Sequence, residues 1–359
     1  MQVLIVGGGV CGTSAAETLR KLLPECTITI IGDEPYPLYS RVLLPHYVCG
    51  RVPRERVFLK TPAWYETERI ELISDTVAAL NVQKKTVQTT AGGTYHYDKL
   101  LIAGGGTLKA LPFSEDPRAH HFQTVDDADR IYAMLASRQA APKTEAHVFG
   151  GGFIAMEFLN LFVPRGFETH VHLRSDQFFY RSFSAAASRL LQAHFESKGV
   201  IVHTHNTLGL SSQFPWVIAA KIDVGHGICV NEFLETNVPD IYAAGDCAEY
   251  QDVVVNRRVH IGNWMNAQMQ GRHVASVIAG NRTPYRLVSS YSTHALGVNI
   301  IAIGDAIREA ADQIIEQHVD EGGHIDYFVR NNVLVGAVLV NTNTARAEIT
   351  KNIGRPFSL

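Results

Sequence analysis

QVLIVGGGVCGTSAAETLRKLLPECTITIIGDE, residues 2–34, decides the fold class. The apolar run at 2–6 predicts a strand, GGGVCG a tight turn, and SAAETLRKLL, with Ala and Leu at helical spacing, a helix. CTITIIGDE predicts a second strand that ends in two acids. Gly7, Gly9 and Gly12 satisfy G-x-G-x-x-G, and Asp33 lies 21 residues beyond Gly12, so strand, turn, helix, strand and acid follow in register. One glycine allows the turn, one lets backbone approach a pyrophosphate, and one lets helix and strand pack closely. Phosphates would rest on the free N–H groups of the helix start, and either Asp33 or Glu34 would accept bonds from a ribose.

The pattern returns at 146–176, AHVFGGGFIAMEFLNLFVPRGFETHVHLRSD, where Gly150, Gly152 and Ala155 make G-x-G-x-x-A. Two such units imply two dinucleotides, one held and one arriving. A third element, ETNVPDIYAAGDCAEY at 235–250, runs a strand-like IYAA into Gly245 and Asp246. A carboxylate at a strand mouth can bond a polyol chain; alone, an ordinary Gly-Asp turn is the simpler reading.

The bulk numbers agree with an α/β chain of two or three domains. At 359 residues the length exceeds one typical domain. With 46% hydrophobic and 19% charged residues the chain is globular rather than fibrous. A net charge of −3 leaves no basic field for nucleic acid and no polybasic run for a membrane surface. The opening MQVLIVGGG carries no basic leader, and no apolar stretch is long enough to span a bilayer, which reads as cytoplasmic. Cys11, Cys26, Cys49, Cys229 and Cys247 show no C-x-x-C pair or ligand spacing, so no metal is expected in this chain and any metal centre belongs to a partner.

With these elements in order, the chain resembles the FAD-dependent pyridine nucleotide-disulfide reductase superfamily. The resemblance is strongest to the branch holding rubredoxin reductase, ferredoxin reductases of oxygenase systems, NADH oxidases and the flavin module of assimilatory nitrite reductase. GGGVCGTSAAETLR, IGDEPYPLYSRVLLP, YDKLLIAGGG, GGGFIAMEF, TNVPDIYAAGDCAEY and WMNAQMQGRHVA carry it over residues 1–280. The resemblance implies an FAD with its pyrophosphate on Gly7, Gly9 and Gly12, its ribose on Asp33 or Glu34, and its adenine on the Val77 backbone. Arg41 would lie at the pyrophosphate or flavin edge, the strand before Gly104 would touch the cofactor, and Asp246 after Gly245 would hold the ribityl. The stretch Trp264–Gln268 would start a helix pointing at the flavin pyrimidine, stabilising negative charge there.

Departures from the family pattern are informative too. Thiol-using relatives carry one or two cysteines near YSRVLLPHY; here Ser40, Val42, Leu43 and Leu44 stand there, and Cys49 reads as a buried small hydrophobe. Some relatives pair a lysine after the leucine pair with the glutamate of the second glycine motif. Here His46 stands near that place and Glu157 is kept, either as a contact or with His46 a plain loop residue. In the second fold Leu173, Arg174 and Ser175 replace the expected acid. Arg174, with Arg181 seven residues on, leans towards a 2′-phosphate and hence NADPH over NADH, or both are surface arginines.

Relatives follow the second βαβ with a three-stranded meander. Only NTLGLSSQFPWVIAAKIDVGH, residues 206–226, stands in its place, with at most one strand, WVIAA, so this domain is expected to be shortened. The expected organisation is two Rossmann-like domains and a small α+β domain. The FAD domain takes 1–112 and 221–285, with Leu111-Pro112 marking the exit, and the shortened NAD(P) domain takes 113–220. The interface domain, 286–359, holds NIIAIGD and a hairpin of HIDYFVR and VLVGAVLV turned at Asn331-Asn332.

The resulting expectation is an oxidoreductase carrying electrons from NADH or NADPH through FAD to a redox partner: a rubredoxin-like or ferredoxin-like protein, or a larger iron–sulfur enzyme subunit. No catalytic acid or base is assigned, because hydride reduction of a flavin does not demand one. The rivals are an NADH oxidase and a flavin-carrying electron-transfer or scaffold subunit that binds no nicotinamide. A homo-oligomer and a complex subunit both fit.

Overall fold

The computed structural model describes residues 1–106, 116, 118–137, 144–205, 215–319 and 322–358. Along the chain, β1 (Gln2–Val6), α1 (Val10–Leu22) and β2 (Thr27–Gly32) form the expected first unit. Short helices α2 (Leu44–Val48) and α3 (Pro62–Thr67) precede β3 (Ile70–Ser74), a meander of β4 (Val77–Asn81), β5 (Thr86–Thr89) and β6 (Thr94–His96), and β7 (Lys99–Ile102). Then come α4 (Val125–Ser137), β8 (Glu145–Phe149), α5 (Phe153–Phe162), β9 (Glu168–His172), α6 (Ala185–Ser197), β10 (Ile201–His203) and α7 (Pro215–Ala219). The chain continues through β11 (Ile228–Val230), β12 (Ile241–Ala243), β13 (Ala248–Asp252), β14 (Arg257–Val259) and α8 (Trp264–Ile278). It closes with β15 (Ser290–Ala295), β16 (Val298–Gly304), β17 (Gln313–Val319), β18 (Gly323–Arg330), β19 (Val333–Val340) and α9 (Arg346–Asn352).

Two compact units emerge, one of Met1–Leu43, Pro53–Lys109 and Ser211–Leu287, the other of Leu44–Val52, Ala110–Leu210 and Val288–Leu359. The core of the first is a five-stranded parallel sheet in the order β12-β7-β1-β2-β3. Its central strands β1 and β7 read as near-continuous apolar runs because both faces are covered; Ile5, Ile28, Ile30, Leu100 and Leu101 are fully buried. Helices α1 and α8 cross at close range, for a Cβ on Gly271 would lie 2.1 Å from the carbonyl oxygen of Cys11.

The second unit holds a three-stranded parallel sheet, β10-β9-β8, and a five-stranded antiparallel sheet, β15-β16-β19-β18-β17. The hairpin at Asn331-Asn332 forms as expected: φ of +49° and +61° at the two asparagines suit a two-residue turn that matches strand twist, and Arg330 pairs with Val333. WVIAA is not a strand. It lies in and just after α7, where Pro215 supplies a pre-set φ at the first helical position, and an apolar run this short has no periodicity to separate the two states. Leu111-Pro112 and residues 206–214 lie outside the described residues. Among the described residues no helix is long and apolar enough to cross a membrane.

Candidate functional site

In the first sheet the chain runs from β1 outward to β2 and β3 on one side, and to β7 and β12 on the other. The carboxyl ends of β1 and β7 therefore flank a topological switch point, where open α/β sheets bind ligands. Gly7 leaves β1 there with φ of +114°, and a Cβ on it would lie 2.2 Å from the carbonyl oxygen of Ala103 and 2.9 Å from the Gly104 nitrogen. A Cβ on Gly12 would lie 2.0 Å from the carbonyl oxygen of Gly7. The turn is thus folded tightly between β7 and α1. Gly9 differs, since a Cβ there would meet nothing within 4 Å. It caps α1 with no side-chain hydrogen bond, and the first turn has no acid. Free N–H groups beside open space suit a phosphate.

The two acids after β2 are distinguished by their surroundings. Glu34 accepts hydrogen bonds from the Tyr39 hydroxyl and the Arg41 guanidinium. Arg41 also sits 5.3 Å from the Tyr39 ring centroid. Asp33 is exposed at the strand end. Val77 opens β4 close by, where Asp75 N–H donates to the Gly32 carbonyl at 2.8 Å.

The Gly-Asp element lies at the mouth of β12. Gly245 has φ of +81°, and a Cβ on it would press on the Cys11 side chain at 3.2 Å. Asp246 is exposed, and the position a Gly262 Cβ would take lies only 3.2 Å from its Cγ. Desolvation of the carboxyl pushes its pKa up, while His260 and Arg41 pull it down. His260 Nε2 donates to the Asp246 carbonyl at 2.8 Å. Helix α8 starts at Trp264, where the Asn263 side chain accepts from Asn266 N–H at 2.9 Å; Trp264 and Gln268 are half-buried in its first turns. The sequence reading missed Gln270, wholly buried in α8, whose amide oxygen accepts from Gly245 N–H at 2.7 Å.

The second glycine motif shares the left-handed first glycine and the uncapped helix start, without the tight packing around Gly7. Gly150 has φ of +116°, and Cβ atoms on Gly150 and Gly152 would meet nothing within 4 Å. Gly152 caps α5 without a side-chain bond, and Ala155 is buried. Glu157 accepts from the Thr293 hydroxyl at 2.9 Å; among the described residues no hydrogen bond or ion pair joins it to His46, which is half-buried in α2. Arg174 is exposed just past β9 with its guanidinium 4.6 Å from the Tyr180 ring centroid. Arg181 is also exposed, and its carbonyl accepts from Arg308 N–H at 2.7 Å.

All five cysteines are free thiols. Burial pushes the Cys11 thiol well up and Cys247 to about 12, so neither is a ready thiolate at neutral pH. Cys49, expected to be buried, is half-exposed after α2. Sequence reading also missed a cluster of His147, His170, His172 and His203 on the β8–β9–β10 sheet. Its only trace in the chain is the alternation in EAHVF and ETHVH, and strand register is needed to unite the four. Burial and the three neighbouring imidazoles hold His172 down to about 4.

Two glycine-cradled helix starts after parallel strands define an α/β protein of the two-dinucleotide class. The family model described as pyridine nucleotide-disulphide oxidoreductase matches residues 1–213 and 209–271, and the chain belongs to that family. It is 28% identical to nitrite reductase [NAD(P)H] of Bacillus subtilis (strain 168), over 94% of this chain and 45% of that protein. It is 27% identical to the assimilatory nitrate reductase electron transfer subunit of the same organism, over 78% of this chain and 39% of that one. The chain thus spans less than half the length of these two relatives. Among solved structures, NADH:rubredoxin oxidoreductase from Clostridium acetobutylicum superposes with a TM-score of 0.83 at 22% identity, covering 99% of this chain and 96% of that one. That likeness shows the fold.

Proposed function

We propose that this chain is a flavin-bearing reductase that takes electrons from NADH or NADPH and delivers them to a rubredoxin-type or iron–sulfur partner protein or subunit. The observation that carries this reading is the uncapped start of α1 at Gly9, open to space at the switch point of the first sheet. Gly7, Gly9 and Gly12 would hold the FAD pyrophosphate. Asp33 is the better ribose acceptor, because Glu34 already serves Tyr39 and Arg41. The Val77 backbone would meet the adenine, and Gly104 would line the crevice. Gly245 permits close approach and Asp246 would hold the ribityl hydroxyls, while the start of α8, from Trp264 to Gln268, would face the flavin pyrimidine. When bound, FAD accepts an electron pair from a nicotinamide and releases it singly; the protein supplies position and electrostatics. Gly150, Gly152 and Ala155 would seat the nicotinamide dinucleotide, with Glu157, Arg174 and Arg181 lining its approach. The names of the relatives, a nitrite reductase, an electron transfer subunit and a rubredoxin oxidoreductase, support the electron-carrier class of partner. A cytoplasmic setting accords with five free thiols.

One observation favours a second reading, a flavin-carrying subunit that binds no nicotinamide. Between β10 and β11 the only regular element among the described residues is α7, so the second fold keeps a sheet of three strands. Anaerobic titration of the purified, yellow protein with NADH and with NADPH decides between them. Bleaching of the flavin absorbance by either nucleotide is expected. Bleaching by dithionite but by neither nucleotide overturns the reductase reading, and a colourless protein that takes up no added FAD overturns both.

A further inference from the structure

The outer face of the β8–β9–β10 sheet carries a chemistry that dinucleotide binding does not use. Strand alternation sends Ala146, Val148, Thr169 and Val171 to the buried side. It leaves Glu145, His147, Glu168, His170, His172 and His203 on the other. Parallel register then sets Glu145 beside Glu168 and His147 beside His170. Like charges directly opposite one another destabilise a sheet, and a cation between the two facing glutamates would relieve that repulsion.

The side chains are arranged for one. His147 Nε2 lies 3.3 Å from a Glu145 carboxylate oxygen, and His170 Nε2 lies 3.3 Å from a Glu168 oxygen. One donor atom each of Glu145, Glu168 and His170 falls within 4.8 Å of the others. Ligands ~2.0–2.1 Å from a tetrahedral ion are about 3.3–3.4 Å apart, so His170 and Glu168 already stand at the edge length such an ion requires. The far ring nitrogens are also engaged: His147 Nδ1 is 2.9 Å from His172 Nε2, and His170 Nδ1 is 3.0 Å from His203 Nε2. A ligating imidazole is oriented by a bond from its other nitrogen, and here two further imidazoles provide it. Stacking fixes the rings, with centroids 4.7 Å apart for His147 and His170 and 4.6 Å for His172 and His203.

We propose that Glu145, Glu168 and His170 bind one divalent transition ion of the zinc class, clamping β8 to β9, with His147 holding the Glu145 carboxylate beside it. Mixed imidazole and carboxylate donors select this class over magnesium or calcium, which take oxygen ligands. The sites for FAD and nicotinamide share none of these residues, so the inference stands apart from the proposed reductase activity.

The test uses the full chain, freed of metal with a chelator and dialysed against zinc, then separately against cobalt(II). One equivalent of zinc and an intense visible cobalt spectrum of a low-coordinate site are expected. His170→Gln and Glu168→Gln should each weaken zinc binding by on the order of 100-fold, and H147Q/H170Q should abolish the cobalt spectrum. His96→Gln, an exposed histidine of the other unit, should change neither. Glu145→Gln, whose carboxylate is 60% exposed, is the variant expected to keep the metal-free melting temperature, so that its weaker binding reports a lost ligand rather than a lost fold. Wild-type protein that retains no zinc on gel filtration, or H147Q/H170Q that binds zinc as tightly as wild type, overturns the proposal.

Discussion

Gln270 holds Gly245 in place: the buried Gly245 N–H donates to the Gln270 amide oxygen at 2.7 Å, while the Gln270 Nε2 meets no hydrogen-bond partner among the described residues. The contact ties α8 to the turn that presents Asp246, so helix and carboxylate move together. Gln270→Met keeps the side-chain length and leaves the Gly245 N–H unmet, a loss of about 1–3 kcal/mol that removal of the unpaired Nε2 offsets in part. Urea unfolding should show that loss, with weaker FAD retention on gel filtration. An unchanged midpoint and flavin content would remove Gln270 from any positioning role.

Gly12 and Gly9 separate the two uses of glycine in one turn. Gly12→Ala would force a Cβ to 2.0 Å from the Gly7 carbonyl oxygen and 2.9 Å from Ile5 Cγ2. Backbone must shift, costing ~1–3 kcal/mol in a protein freed of flavin. Gly9→Ala meets open space, and its φ of −69° is ordinary for alanine. Its metal- and flavin-free melting temperature should hold while FAD affinity falls on the order of tenfold, because the new methyl occupies the space a phosphate would take. Thermal melting of the apoprotein and flavin titration read the two effects separately.

Local chemistry explains why the first βαβ unit was legible in the chain. Glycine spacing, helical Ala and Leu positions and β-rich runs all act over fewer than forty residues, and β1, α1 and β2 appear where those signals lie. The Asn331-Asn332 hairpin was legible for the same reason. The bonding of Glu34 was not, because Tyr39 and Arg41 reach it only once the loop has folded back. The histidine face was invisible for a larger reason: His147 meets His170 through pairing of strands more than twenty residues apart. WVIAA failed because composition favours a strand and the proline at its start favours a helix.

Asp246 gives the protein a pH signature with a defined sign. Desolvation raises its folded-state pKa above the ordinary 3.8, against the opposing pull of His260 and Arg41. A carboxyl raised in the folded state binds its proton more tightly there than when unfolded, so below 3.8 it contributes nothing. As pH climbs from 3.8 through the folded pKa, its ionisation costs stability, and the cost is then constant. Asp246→Asn should therefore match wild type at the acid end and become the more stable protein as pH rises to neutrality, while retaining FAD less well for want of the carboxylate. Chemical unfolding at a series of pH values tests this. A variant less stable than wild type at pH 7 would show that the ionised carboxylate is favourably held instead.

Arg174 tests which nucleotide the second fold receives. Its guanidinium lies 4.6 Å from the Tyr180 ring centroid, a stack that pre-positions an exposed cation at the end of β9, where Leu173 replaces a ribose-binding acid. A charge-assisted contact to a 2′-phosphate contributes about 1.5–3 kcal/mol, so Arg174→Ala should weaken NADPH on the order of 10- to 100-fold and leave NADH nearly unchanged. Tyr180→Ala keeps the charge but removes the platform, so its effect on NADPH should fall between wild type and Arg174→Ala. Equilibrium titration of the oxidised protein with each nucleotide measures both. Equal losses for NADH and NADPH would place Arg174 on the diphosphate common to the two, and no loss for either would make it a surface residue.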